Sequence, residues 1–444
     1  MQIIIVKAKA DCFKKYLQGL TADAEEQLRS SLRIQRDPSG CGCTDIQTGS
    51  HLKAMVTKLS TDTEFQSCDA LKAVWQYING LDDADEVLVL DASRYSNYDI
   101  LCWNNALWAK KTNHNPVEVY HHIRYDLPQI LFPRHVVFFF ADLGFEQYFG
   151  EPDKNKRVCR FCSETGAGIF GDKKNSHAIS WFLGNEALFC LEECKSCNNT
   201  FGSTIENALS SYYQYYRAAE HRKSRKGKPL TAKGFNYEHM ADGGLRYFAS
   251  EPTDNAPKVG ERLPKEGLLI HLNNKEPVVL HDIYRVLVKY VVACLPNELL
   301  PAFQTTIKWI RGKKRPTKGT LPPVYRIETL DDVQKPSLFV YIRKDNKKDL
   351  PYCVGELRFM ENLYVFAVPY CKGHDIMNSY LAEPLSHFVK QRYPNMTFTV
   401  ENFCDYEQKM IINHVKIEGD ENTILKPLHA EEGKNEQKKS IICE

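Results

Sequence analysis

The sequence contains no hydrophobic run long enough to cross a membrane. The apolar run at residues 3–6 is followed by Lys7 and Lys9, and it is too short for the core of a signal peptide. A membrane helix needs about 18 consecutive apolar residues, and no stretch approaches that length. We therefore expect a protein that has no membrane partner and is located in the reducing cytoplasm.

Neither sign of charge is in excess. Lysine and arginine number 58, and aspartate and glutamate number 56, which gives a formal net charge of +2. This balance gives no whole-chain indication of a nucleic-acid or membrane surface, so any such surface must come from local clusters. With 43% hydrophobic and 26% charged residues, the composition also excludes wholesale disorder.

Nucleotide-binding motifs are absent as well. The chain has no G-x4-G-K-[ST] loop and no convincing G-x-G-x-x-G, the glycine-rich sequences whose backbone amides hold phosphate groups. It also has no internal repeat and no low-complexity tract. We therefore expect that the chain hydrolyses no nucleotide itself.

The length of 444 residues predicts about three domains, at roughly 150 residues each. A turn-forming stretch at residues 150–156, GEPDKNK, marks the first boundary. We predict a mixed α/β accessory domain of unknown role at 1–150, a central module at 155–222, a basic linker rich in glycine and proline at 223–266, an α+β domain at 267–429 and a polar tail at 430–444.

Hydrophobic periodicity and turn residues predict the elements of the two larger domains. In the first we expect strands at residues 86–91, 117–120 and 135–140, and helices at 11–20, 23–32 and 67–79. In the last we expect strands at 268–272, 338–342, 363–368 and 397–400, and helices at 282–294 and 374–393, the second kinked by Pro384. The mixture indicates an α+β fold class.

The chain has 15 cysteines, and four of them have the spacing of metal ligands. Cys159-x2-Cys162 and Cys194-x2-Cys197 are separated by residues 163–193. Two CxxC pairs can close a tetrahedral four-cysteine zinc site, in which each pair supplies two thiolates from one tight turn. The spacing therefore predicts a structural Zn²⁺ ion. The alternative is that the four cysteines are ordinary buried thiols whose spacing matches that of zinc ligands by coincidence.

A second set of motifs lies between and after these pairs. His177 stands in Ser-His-Ala-Ile-Ser, and Asn185 follows Gly184. The second cysteine pair runs directly into Asn198-Asn199, then Phe201-Gly202, and a helix is expected from Ser203 or Thr204. Over residues 157–209 the order of these motifs resembles the zinc-ribbon-bearing branch of the HNH endonucleases.

That resemblance implies a ββα-metal motif, in which a β-hairpin and a following helix clasp one divalent cation. It implies that His177 is the general base, that Asn198 is a ligand of a catalytic Mg²⁺ or Mn²⁺ ion, and that Asn185 orients the loop that holds the histidine. The chemistry suits this order, because phosphodiester cleavage needs a base near neutral pH and a cation that stabilises charge on the phosphate.

The sequence departs from the family pattern at Ser176. Many HNH endonucleases carry Asp, Glu or His there as a second metal ligand, and serine is a poor ligand for a hard cation. Glu206 is a candidate substitute, with Asn199 a weaker one. The alternative for Glu206 is a capping box with Ser203.

Basic residues are concentrated at 217–233 and 308–318. The first cluster follows the expected catalytic helix, where phosphate contacts would hold a substrate. We predict nucleic-acid contacts, with DNA rather than RNA, from these five residues: Arg222, Lys223, Arg225, Lys226 and Lys228. The alternative is a solvated basic loop.

These inferences predict a metal-dependent DNA endonuclease whose central HNH module is flanked by two mixed α/β domains. By resemblance alone, bacterial proteins of this kind serve in anti-phage defence, some with an ATPase partner and others with a ligand-sensing domain. The competing hypothesis is a catalytically silent, zinc-stabilised nucleic-acid-binding or scaffold protein that acts with such a partner. The oligomeric state, the activating signal and any sequence preference stay open.

Overall fold

A computed structural model describes residues 1–8, 12–35, 46–92, 94–126, 134–172, 176–220, 227–234, 237–240, 245–248, 268–313, 321–345, 351–371, 382–393, 396–404, 406–417, 426–427 and 440–443. The chain divides into two compact units, the first formed by Met1–Lys195 and Leu287–Glu401, the second by Ser196–Val286 and Asn402–Glu444. Within the described ranges, no helix has both the length and the apolar character needed to span a bilayer.

The helices are short, and several begin after a side chain that accepts a hydrogen bond from an amide of the first turn. The α-helices are Ala22–Ser31, Gly49–Leu59, Thr63–Gln66, Asp69–Asn79, Asn97–Lys111, Pro116–His121, Lys195–Ser203, Ile205–Tyr212, Gln214–Ala219, Leu280–Cys294, Gln304–Ile310 and Ala382–Arg392. A π-helical turn spans His122–Asp126, and 3₁₀ turns span Ala167–Ile169, Trp181–Leu183 and Asn297–Phe303.

The strands pair almost entirely antiparallel. They are Gln2–Lys7, Phe13–Tyr16, Gln47–Thr48, Glu86–Asp91, His135–Ala141, Gln147–Phe149, Leu188–Cys190, Ala232–Lys233, Tyr237–His239, Leu245–Phe248, Leu268–Asn273, Val278–Val279, Val324–Arg343, Cys353–Ala367, Phe398–Glu401, Gln408–Lys409, Ile412–Ile417, Lys426–Pro427 and Ser440–Cys443. The predicted α+β class is confirmed at this level. The HNH module itself stays a prediction.

The N-terminal sheet of the first unit is buried on both faces. Its strand order is Phe13–Tyr16, Gln2–Lys7, Glu86–Asp91, Gln47–Thr48. Ile3 and Ile5 pack on one face and Ile4 and Val6 on the other, each pair within its own hydrophobic cluster. Because successive strand residues point to opposite faces, a strand covered on both sides reads as a continuous apolar run.

A second sheet joins the two ends of the first unit. Strand Val324–Arg343 pairs with Cys353–Ala367 along one side, and on its other side with Phe398–Glu401 and His135–Ala141. The last of these belongs to the predicted domain 1–150, whereas the others belong to 267–429. One sheet therefore crosses between the two parts that we expected to flank the central module.

Two predicted elements of residues 1–150 are wrong. Residues 11–20 contain the edge strand Phe13–Tyr16, because pairing with Gln2–Lys7 outweighs local helix propensity. Residues 117–120 lie in helix Pro116–His121, where the Asn115 side chain accepts from the amide of Val117 and a proline occupies the first helical position. The capping asparagine and the proline are both visible in the sequence and indicate a helix start.

At the C-terminal end of the first unit, the helix expected at residues 374–393 is present as Ala382–Arg392. Pro384 lies in its first turn, where a proline is tolerated. Residues 372–381 lie outside the described part of the chain.

The second unit contains the predicted linker and the predicted tail, and described residues of both form strands. A five-stranded sheet has the order Lys426–Pro427, Ser440–Cys443, Leu245–Phe248, Tyr237–His239, Ala232–Lys233. Three of these strands lie in the stretch 223–266 and one in 430–444. These strands form by backbone pairing, in one case between segments far apart in sequence, and the composition of the polar stretches alone gives no sign of it.

Candidate functional site

Four cysteine side chains lie together between residues 159 and 197. The sulfur atoms of Cys159, Cys162, Cys194 and Cys197 all lie within 4.8 Å of one another, and those of Cys162 and Cys194 are 3.6 Å apart. Four sulfur ligands about 2.3 Å from a tetrahedral zinc ion are about 3.8 Å from one another. This buried group could therefore hold a metal ion such as zinc, as the spacing predicts.

Different local structures present the two pairs. In the first, the amide of Ser163 donates to the carbonyl oxygen of Cys159, and Ser163 adopts a left-handed conformation with φ 64°. In the second, Cys194 comes directly before helix Lys195–Ser203, and Cys197 lies in the first turn of that helix. The amide of Cys194 donates to the Cys159 sulfur at 3.4 Å, which ties the two pairs together.

Without a cation, the Cys162 thiol favours its neutral form. Burial, together with the neighbouring Cys159 and Cys194 thiols, raises the pKa of the Cys162 thiol to about 11. A thiol that coordinates a divalent cation is deprotonated. Metal binding here therefore releases protons, and the affinity falls as the pH falls.

His177 lies on a short hairpin, residues 176–190, which we call the histidine hairpin. His177 is paired with Phe189 across it, the amide of Ala178 donates to the carbonyl of Leu188, and the amide of Cys190 donates to that of Ser176. The half-buried imidazole packs beside the Phe189 ring, with 4.9 Å between ring centroids. The histidine hairpin thus presents the predicted base.

Asn185 is fully buried and holds the tip of the histidine hairpin. Its amide nitrogen donates to the carbonyl oxygens of Ile179 and Leu188, at 2.5 and 3.0 Å. Its carbonyl oxygen accepts from the amides of Ala187 and Leu188, at 3.2 and 2.9 Å. These four bonds suit the loop-orienting role that the resemblance implies.

The helix expected from Ser203 or Thr204 is present as Ile205–Tyr212, with Thr204 as its N-cap. A separate helix that was not predicted, Lys195–Ser203, precedes it. Asn198 is therefore a half-buried residue inside a helix. Ser203 ends that helix, and its hydroxyl donates back to the carbonyls of Asn199 and Thr200. Helix Lys195–Ser203 starts between the two cysteines of the second pair, a position that no capping residue in the sequence indicates.

Glu206 lies in the first turn of the next helix, Ile205–Tyr212, and is half-buried. The N-cap of that helix is Thr204, whose side chain makes no capping bond, so the alternative capping box with Ser203 is wrong. Among the residues that the structure describes, the four cysteines are the only group of three or more His, Cys, Asp and Glu side chains close enough to share a metal ion. The convergence of His177, Asn198 and Glu206 on one cation stays a prediction.

Ser176 is buried, and its hydroxyl donates to the carbonyl oxygen of Glu193 at 3.3 Å. This bond turns the serine towards the protein backbone. Of the predicted nucleic-acid contacts, Lys228 is exposed. Arg222, Lys223, Arg225 and Lys226 lie outside the described residues.

Sequence reasoning missed two buried ion pairs beside the cysteines. Glu192 Oε2 is 3.0 Å from Arg160 Nη2. The adjacent Glu193 Oε2 is 3.1 Å from Lys289 Nζ. The signals were present, because Arg160 stands inside the first CxxC and Lys289 interrupts the apolar run at residues 286–293. Neither feature of the sequence identifies the acidic residue that pairs with the cation.

Arg160 also connects the first cysteine pair to a distant helix end. Its guanidinium donates to the carbonyl oxygens of Val292, Ala293 and Leu295, at 2.8, 2.9 and 3.1 Å. The last carbonyl groups of a helix have no hydrogen-bond donor within the helix. Arg160 supplies donors for these carbonyls at the C-terminal end of helix Leu280–Cys294. The four-cysteine site and this helix are therefore one connected structure.

Comparisons with protein-family models, with curated proteins and with solved structures each found no match. The likeness to the HNH endonucleases rests on the residues and motifs quoted above.

Proposed function

We propose that this protein is a metal-dependent endonuclease that cleaves phosphodiester bonds, with DNA as its preferred substrate. The observation that carries the proposal is the order of local structures around the cysteines. A hairpin presents His177, and a helix with Asn198 in its first half starts directly after Cys194. A ββα-metal site requires this order of hairpin and helix.

The proposed function involves two metal ions, one structural and one catalytic. Four cysteines complete the tetrahedral coordination of a zinc ion and leave it no open position, so zinc would be structural. A catalytic Mg²⁺ or Mn²⁺ would stabilise the charge that develops on the phosphate. Asn198 and Glu206 are the residues that would hold it, which suits Mg²⁺ because that ion usually binds one or two carboxylates plus substrate phosphates and water.

His177 would remove the proton from the attacking water. Imidazole is the natural base for this step, since its ordinary pKa lies near neutral pH. Asn185 would keep the hairpin tip folded, and the basic residues from Arg222 to Lys228 would hold the substrate backbone by phosphate contacts. A role in anti-phage defence, with an ATPase partner or an activating ligand, is the biological setting that we propose by analogy.

Nicking of supercoiled plasmid in Mg²⁺ or Mn²⁺ tests this function. Replacing His177 with Ala should lower the cleavage rate at least about 100-fold, because general-base catalysis contributes about 10²–10⁴-fold. His51, a half-buried histidine of helix Gly49–Leu59, is the matched control, and His51→Ala should cleave at the wild-type rate. Wild-type activity no higher than that of His177→Ala on duplex DNA, single-stranded DNA and RNA would refute the proposal.

A second candidate is a zinc-stabilised nucleic-acid-binding or scaffold protein without catalysis. Ser176 favours it, because a second cation ligand is expected at that position and the serine hydroxyl is bonded to the Glu193 carbonyl. This candidate predicts salt-dependent binding of DNA that survives His177→Ala, with no metal-dependent product. Gel-shift and nicking assays on the same samples separate the two functions.

A further inference from the structure

Lys289 is a charged residue at a position where helix Leu280–Cys294 is otherwise apolar. Its side chain is completely buried, as are those of its neighbours Val288 and Tyr290. Removing an ammonium group from water is costly unless strong partners replace the water. An apolar side chain at this position would fill the space without that cost, so the stability of the helix alone does not explain a lysine.

Lys289 has one partner in the histidine hairpin and another just after the hairpin in the chain. Its ammonium lies 3.1 Å from the Glu193 carboxylate, which is also completely buried. It donates to the carbonyl oxygen of His177 at 3.3 Å. The next helix residue, Tyr290, donates its hydroxyl to the Ser180 hydroxyl at 2.7 Å. Two successive residues of one helix therefore bind the hairpin segment that carries His177.

Glu193 completes this arrangement from the other end. Its carbonyl oxygen accepts from the Ser176 hydroxyl, and Cys194, a member of the four-cysteine group, follows it in the chain. The backbone at Ser176 and His177 is thus fixed between Glu193 and Lys289. A metal at the cysteines would fix the Glu193 segment in turn.

We propose that the Lys289–Glu193 ion pair is a positioning element that sets the placement of the His177 imidazole for cleavage. The ion pair acts through the carbonyl of His177 and touches neither substrate nor cation. The inference rests on the proposed nuclease function. It adds that a helix about 110 residues further along the chain determines the efficiency of the base, and misplacement of about 1 Å can lower a rate about 100-fold.

The test replaces both members of the pair in the full-length protein, as Lys289→Met together with Glu193→Gln. The double variant leaves no unpaired charge, and exchanges of this kind are often neutral for stability. We expect wild-type zinc content and unfolding midpoint, a kcat lowered at least about 10-fold, and an unchanged KM. Lys289→Arg, which keeps the charge but moves the donors, should lower kcat in the same way.

The matched control is Lys7→Met together with Asp85→Asn, which removes a pair of the N-terminal sheet whose charged atoms are 2.6 Å apart. It should leave kcat unchanged. Wild-type kcat in the Lys289 and Glu193 double variant would overturn the proposal. So would loss of zinc or of cooperative unfolding in that variant, because the pair would then determine folding rather than position.

A readout that does not depend on cleavage separates this proposal from the nuclease function. The imidazole resonances of His177, assigned by their absence from His177→Ala, should shift in the double variant and stay fixed in the control. A wild-type protein that cleaves nothing would refute the nuclease function. Unshifted His177 resonances would refute the positioning role.

Discussion

At the scale of single residues, the cysteines are the part of the candidate site in which sequence and geometry agree most closely. Spacing alone selects Cys159, Cys162, Cys194 and Cys197, and their sulfur atoms meet within 4.8 Å. The agreement has a physical cause. A CxxC pair is a local motif, and two of them need only one long-range contact to form a tetrahedral site.

Replacing Cys162 with Ser should remove the metal. Three thiolates and a hydroxyl bind zinc far more weakly than four thiolates, so zinc should fall from about one equivalent per chain to well below half. The unfolding midpoint should fall with it. Elemental analysis and thermal unfolding measure both quantities. Cys404→Ser is the control, because Cys404 is equally half-buried and lies outside the group. Equal zinc in the two variants would contradict the four-cysteine site.

Residues with partners far along the chain could not be predicted. Arg160 bonds the carbonyls of Val292 and Ala293, and Lys289 bonds that of His177. No local pattern identifies such partners, since the contacts exist only after the fold has formed. The sequence shows the unusual charge, whereas the structure shows what satisfies it.

At the scale of elements, helix Leu280–Cys294 was predictable because its apolar residues follow helical periodicity. Helix Lys195–Ser203 was not, because its start is fixed by the cysteine pair instead of a capping side chain. Strand Phe13–Tyr16 was missed because its pairing partner, Gln2–Lys7, determines its conformation. Local signals predict the elements that local interactions define.

Replacing Arg160 with Met should destabilise the end of helix Leu280–Cys294. The change leaves Glu192 as a buried charge that has lost its cation, and three carbonyls lose their donor. We expect a loss of about 3–5 kcal/mol in the free energy of unfolding, measured by urea denaturation.

Lys156→Met is the control for this change. Lys156 is exposed and its ion pair with Asp153 is long, at 3.7 Å, so the loss should be below about 1 kcal/mol. If Arg160→Met were as mild as the control, the Arg160 network would not support the helix.

At the scale of the whole molecule, the first unit is stabilised as one body because strand His135–Ala141 adds to the sheet of Val324–Arg343. Phe139 packs on Phe339, with 4.5 Å between ring centroids, and also belongs to the cluster beneath the N-terminal sheet. The division into units therefore follows contacts rather than sequence order, and no composition shift reveals it.

Replacing Phe139 with Ala should weaken both ends of the first unit together. We expect a loss of about 3–5 kcal/mol, the usual cost of truncating a buried phenylalanine. Hydrogen exchange should speed up in strand Glu86–Asp91 and in strand Cys353–Ala367 alike. Val136→Ala, at a position 43% exposed on the same strand, should change neither. Faster exchange in only one of the two strands would show that they unfold independently.

Because the first unit consists of two separate segments, Met1–Lys195 and Leu287–Glu401, it cannot complete its folding until the second segment has been synthesised. Strand His135–Ala141 is synthesised roughly 200 residues before its partner Val324–Arg343 is finished, which at 5–20 residues per second is about 10–40 s. During that interval the strand lacks the partner with which its backbone pairs. Nascent chains of this protein are therefore expected to recruit chaperones before the C-terminal segment emerges, and to aggregate when synthesis stops early.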